Sequence, residues 1–123
     1  MAIEDGAVLG YLFERLSHPS QLPDLLVIYE ALRKPRTTKV VKSSTLSRRI
    51  LHLSDGPVQE ERDRQLQHEK PFQGFAHVWA DPTMQAFLFG YDALGEVERA
   101  WKRYLDGQFP LTTGAWKLQL SKE

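Results

Sequence analysis

The chain has no cysteine among its 123 residues. That excludes a disulfide framework, a thiolate zinc site and a cysteine nucleophile, and is compatible with a reducing compartment. An excess of either charge is also missing, since sixteen basic residues balance sixteen acidic ones. Neither a uniformly basic nucleic-acid surface nor a polyanionic tail is indicated, so no nucleic-acid partner is expected. No run of about 18 apolar residues occurs, and the opening carries Glu4 and Asp5 where a signal peptide requires bases. These absences predict no membrane partner and a cytoplasmic location. Repeats and low-complexity tracts are absent as well. What is present is the length of one small domain with 41% apolar residues, enough for a core.

The pattern is mainly helical. Residues 2–17 predict a first helix with an apolar stripe of Ile3, Val8, Leu9, Leu12, Phe13 and Leu16. Gly6 and Gly10 each cost about 1 kcal/mol of helix propensity there, and two small residues four apart suit close packing of another backbone or a flat ligand. "SHPSQLPD" ends that helix, with Ser20 the expected cap for the second helix and Pro23 tolerated in its first turn. This second helix runs from about Leu22 to Lys34 on a wide face of Leu25, Leu26, Ile28, Tyr29 and Leu32, and its periodicity resumes beyond Pro35 with Val40, Val41, Leu46, Ile50, Leu51 and Leu53. Pro35 removes a backbone donor and crowds the carbonyl of Ala31, which predicts a kink or an interruption. Further on, Asp55 or Gly56 caps a short charged helix that opens on Pro57, and Asp81 caps another that opens on Pro82 and breaks at Gly90. The run between them, Phe72 to Trp79, is aromatic and irregular. A last helix spans about Ala93 to Leu105. Residues 1–105 thus form the helical body, and 106–123 an extended or poorly ordered tail in which Trp116, Leu118 and Leu120 alternate as in a half-buried strand.

Chemistry is sparse. His18, His52, His68 and His77 lie in separate segments without metal-ligand spacing, so no metal site is expected. Glu4 and Asp5 are neighbours and point roughly 100° apart on a helix, which suits first-turn acids complementing the dipole rather than an acid–base pair. The basic run "LRKPRTTKVVK" with Arg48 and Arg49 lacks interleaved aromatics and reads as a solvated helix face. Trp79, Phe87, Phe89, Tyr91 and Trp101 read as core rather than as the lining of a ligand pocket. No glycine-rich phosphate loop, nucleophile elbow or kinase signature occurs.

Local order and spacing carry more. "MAIEDGAVLG", "LPDLLVIYEALRKPRTTKVVKSS", "HLSDGPVQEERD" and "WADPTMQAFLFGYDALGEVERAW" together resemble the C-terminal part of fungal FAD-dependent monooxygenases of the salicylate-hydroxylase-like group, over nearly the whole chain. The resemblance implies that this mainly α chain is the helical C-terminal segment of a larger α/β flavoprotein of the p-hydroxybenzoate-hydroxylase type, with one long Pro-kinked helix. It implies FAD and NAD(P)H as cofactors, a small aromatic substrate, and a homo-oligomer as a possible assembly. In that family a Gly-Asp pair leads into a helix reading approximately A-I-E-D-A-A-V-L, whose amino end faces the flavin. Met1 and Ala2 are the only positions here onto which cofactor proximity carries over, through backbone donors. Gly6 stands where the family usually has alanine. The resemblance implies no catalytic residue in this stretch, and the glycine-rich pyrophosphate loop of the family is not among these residues. Two readings are open. The chain is a piece of a monooxygenase, inactive by itself, or it is a small helical protein-interaction module using apolar faces that would otherwise be covered.

Overall fold

The structure is a computed structural model that describes residues 1–110. Five α-helices occur among them, α1 Ala2–Phe13, α2 Leu22–Leu51, α3 Pro57–Leu66, α4 Pro82–Phe89 and α5 Ala93–Leu105, with 3-10 turns at Pro19–Gln21 and Val78–Ala80. No strand is found among the described residues, as expected of a mainly α chain. The strand-like alternation at Trp116, Leu118 and Leu120 lies outside them.

The backbone divides into two compact units, the first made of residues 1–36 with those from Asp92 onward, the second of residues 37–91. The division falls within α2.

In the first unit α1, the amino-terminal half of α2 and α5 form a three-helix core. Val8 and Leu12 of α1, Leu25 and Ile28 of α2, and Val97, Ala100 and Trp101 of α5 are buried together. Leu9, Leu16, Tyr29, Leu32 and Tyr104 close its margin. Spacing of three and four residues puts each set on one helical face, and burying a Leu, Val or Ile side chain stabilises by roughly 1.5–3 kcal/mol. Tyr104 lies against Trp101, ring centroids 5.0 Å apart, and its hydroxyl donates to Asp24 at 3.0 Å. Gly107 ends α5 with φ of +67°, a left-handed position that suits a residue without Cβ, while the Gln108 amide donates back to the Arg103 carbonyl.

Several sequence expectations need correction here. Helix α1 stops at Phe13 rather than 17; tight amide bonds from Arg15 to Leu12 and from Leu16 to Phe13 close its last turn. Ile3 is 90% exposed and Phe13 is also exposed, because both fall on the arc opposite Val8 and Leu12. Ser20 does not cap α2. It sits inside the 3-10 turn, whose cap is the His18 ring, and Gln21 reciprocates by accepting from the His18 amide. The long helix expected around Pro35 is present as α2, Leu22–Leu51; of the kink or interruption expected there, only the interruption is ruled out, since the helix runs through Pro35.

In the second unit Phe75, Ala76 and Met84 are buried. Asp81 organises this region: its carboxylate accepts from the amides of Thr83 and Met84, capping α4, and from Gly74 at 2.5 Å. These amide bonds, that from Gly74 first, hold its pKa below the usual 3.8. The aromatic run is irregular as expected, with Phe72 and Phe75 edge to face at 5.4 Å. Phe89 is 79% exposed, contrary to the core reading of the aromatics; it is the last residue of α4, and Gly90 ends the helix there.

Candidate functional site

Helix α1 presents its amino end with Met1 as N-cap and Ala2 as first helical residue, both exposed. No side chain caps this end. The first-turn amides of an α-helix have no intrahelical acceptor and carry about half a positive charge, so this end offers donors to an anionic group.

Immediately below lies an ion cluster that the sequence pattern assigned otherwise. Arg33 and Arg36 of α2 are 3% and 5% exposed, not part of a solvated face. Arg36 grips Glu4 with a two-pronged contact, Nε to Oε2 at 2.7 Å and Nη2 to Oε1 at 2.8 Å. Arg33 donates to both acids, Nε to Asp5 Oδ1 at 2.6 Å and Nη2 to Glu4 Oε2 at 3.0 Å. Two carboxylates balance two guanidiniums, which is the condition under which buried arginines are tolerated. The hydrogen bond from Arg36, reinforced by Arg33 against the opposing effect of burial, lowers the Glu4 pKa from 4.5 to about 2.

Glu4 and Asp5 therefore share partners although their side chains diverge, and their acids serve as cross-links to α2 as well as first-turn charges. The signal for this was in the sequence. Arg33 lies four residues after Tyr29 and Arg36 four after Leu32, so both continue the buried stripe of α2 and needed buried counter-charges.

The far end of α1 is also held. The Arg15 guanidinium donates to the Tyr11 carbonyl at 2.7 Å, lies over the Tyr11 ring and pairs with Glu98 of α5, which also accepts from the Tyr11 hydroxyl at 2.9 Å. The histidines serve locally: His18 and His77 are N-caps of 3-10 turns, His52 contacts the Arg48 carbonyl and His68 stands edge-on to Phe72. No group of three or more potential metal ligands occurs among the described residues, and no described helix is long and apolar enough to cross a membrane. The second unit has its own concavity of about 480 Å³, lined by Leu46, Ile50, Leu53, Val78 and Met84 among others. Polar groups on its rim already have internal tasks, with Arg62 donating to the Ile50 carbonyl and Asp81 capping α4.

No family model matches the chain. Among curated proteins it is similar to the FAD-dependent monooxygenase OpS4 of Beauveria bassiana (strain ARSEF 2860), 40% identical over 100 residues, which is 80% of this chain and 23% of that protein. It is also similar to the FAD-dependent monooxygenase atnJ of Arthrinium sp, 31% identical over 98 residues, again 80% of this chain and 23% of the relative. The chain thus spans about a quarter of the length of the curated relatives it matches. Over about 80% of its length the chain is thus similar in sequence to a segment of fungal FAD-dependent monooxygenases.

Proposed function

We propose that this chain serves as the C-terminal helical portion of an FAD-dependent monooxygenase that uses NAD(P)H to hydroxylate a small aromatic substrate of the salicylate type. The observation that carries the proposal is the end of α1, uncapped by any side chain, its two acids neutralised by Arg33 and Arg36. The backbone donors at Met1 and Ala2 would be the part of this segment available to an anionic group of the cofactor, and no side chain of this segment is assigned a catalytic role. When bound, such a cofactor would supply the redox chemistry. This segment orients: the ion cluster fixes the direction in which the α1 amino end points, and the fixed amides stabilise negative charge without reorganising. By itself the segment does not hold FAD.

The test is a chimera in which this chain replaces the matching stretch of OpS4. The expected result is a yellow protein that retains FAD through gel filtration and oxidises NAD(P)H faster when small aromatic acids such as salicylate are added. The isolated chain, expressed alone, purifies colourless. A chimera that folds without retaining flavin, or an isolated chain with bound FAD, refutes the proposal.

A further inference from the structure

The concavity of the second unit is built wholly from residues of that unit. Phe75 and Met84 are its buried apolar lining, and Ile50 of α2 and Val58 of α3 its more open lining. Its volume of about 480 Å³ falls within the roughly 300–1,000 Å³ typical of sites for small organic ligands, which combine apolar walls with a few polar groups. The charged groups around it decide what kind of ligand it suits. Glu61 accepts from Arg64 at 2.9 Å and from Gln65 at 3.1 Å, and Asp81 accepts from the amides of Gly74, Thr83 and Met84. Arg62 donates to the Ile50 and Leu51 carbonyls and pairs with Asp63. Lys39 is different. Its ammonium stands over the Phe87 ring, 3.9 Å from the centroid, and among the described residues it has no carboxylate within ion-pair distance. Helix α2 supplies none, because no acidic residue occurs between Glu30 and Asp55, and the residues three and four away from Lys39 are Pro35, Arg36, Lys42 and Ser43. A ring face attracts the ammonium without using up its hydrogen-bond donors.

We infer that this concavity is a binding site for an apolar monocarboxylic acid, its hydrocarbon part against Ile50, Val58, Phe75 and Met84 and its carboxylate on the Lys39 ammonium. Charge complementarity selects this class. Glu61 and Asp81 already have their donors, so an amine finds no carboxylate waiting for it, whereas a single ammonium without a counter-ion matches a single negative charge. Transfer of the ligand's hydrocarbon part out of water supplies most of the affinity, and the ion pair orients it. The site uses neither the α1 amino end nor a flavin, and so does not rest on the reading under Proposed function.

Met84 supplies the readout, being one of only two methionines in the chain. The protein is labelled at its methionine methyl groups, and the Met84 NMR signal, recognised by its absence from Met84→Leu, is followed as naphthoate or the uncharged naphthamide is added. The expected result is a saturable shift with naphthoate at millimolar concentration or below. Lys39→Met keeps the length of the side chain without its charge, and should weaken naphthoate by about three- to tenfold while leaving naphthamide unchanged. Val58→Trp, a change at a residue 69% exposed, fills the concavity and weakens both ligands. A Met84 signal that does not move, or moves without saturating, overturns the inference, as does a Lys39→Met variant that binds acid and amide in the native ratio. A Met84 signal that changes with protein concentration before any ligand is added identifies a second copy as the occupant and overturns it. In the OpS4 chimera Met84 responds to naphthoate as it does in the isolated chain; a Met84 silent there places the rest of the longer chain in the concavity and overturns it as well.

Discussion

Replacing Glu4 by Gln removes one charge from a nearly buried cluster while keeping its shape, and the consequence can be worked from the structure. The carboxylate titrates at about 2 instead of 4.5, because Arg36 and Arg33 hold its ionised form. A depression of that size corresponds to about 3 kcal/mol of stability at neutral pH. The side chain is 28% exposed, which trims the figure by solvent screening toward about 2 kcal/mol. This still exceeds the 0–1 kcal/mol of a surface pair, because Arg36 at 5% exposure loses its charged partner. The folded value lies below the unfolded one, so the contribution is complete above about pH 4.5 and disappears as pH falls toward about 2. Urea unfolding of the chain, Glu4→Gln, Arg36→Met and the double variant, followed by far-UV circular dichroism, gives the coupling directly. The expected outcome is a coupling near 2 kcal/mol at neutral pH, with the gap between native chain and Glu4→Gln narrowing steadily on acidification. A coupling under about 0.5 kcal/mol, or a gap that does not change between neutral pH and about pH 3, refutes the account of the cluster.

Other expectations concern single residues. Pro35→Ala restores a backbone donor toward the Ala31 carbonyl within the continuous α2, and should raise stability by about 1–3 kcal/mol; an unchanged or lower urea midpoint goes against it. Trp101→Ala opens the core of the first unit and should cost about 3–5 kcal/mol, read as the loss of a cooperative thermal transition at moderate temperature. Asp81→Ala removes the acceptor for Gly74, Thr83 and Met84, so amide hydrogen exchange at those three positions should accelerate while α1 and α5 stay protected. The native chain should show the same local loosening only below the usual carboxylate range, since the folded pKa of Asp81 is lowered. Protection at these amides that survives the substitution would show the cap to be incidental.

Helix positions were legible in the chain because the signals are local. Pro57 after Gly56, Pro82 after Asp81, and the Gly90 stop place α3 and α4 from a few neighbouring residues each. The amphipathic run from Ala93 to Leu105 matches α5 at both ends. Local pattern misassigned what depends on distant partners. Ile3 and Phe13 looked like core because apolar spacing says which residues share a face, not which of two apolar faces is covered. Arg33 and Arg36 looked solvated because they lie in a basic run, and their true counter-charges are 28 to 32 residues away in Glu4 and Asp5.

By itself, then, the sequence determined where the helices lie and the caps and stops of α3, α4 and α5, since those arise from backbone sterics and hydrogen bonding within a turn or two of chain. The kinship with FAD-dependent monooxygenases was also readable there, from the order of short motifs. Only the tertiary structure decided that the first-turn acids clamp α1 to α2, and that the glycine-bearing arc of α1 is left bare. Both are properties of how helices meet, and the free energy of a buried charge or an uncovered apolar face is set by what lies against it rather than by its neighbours along the chain.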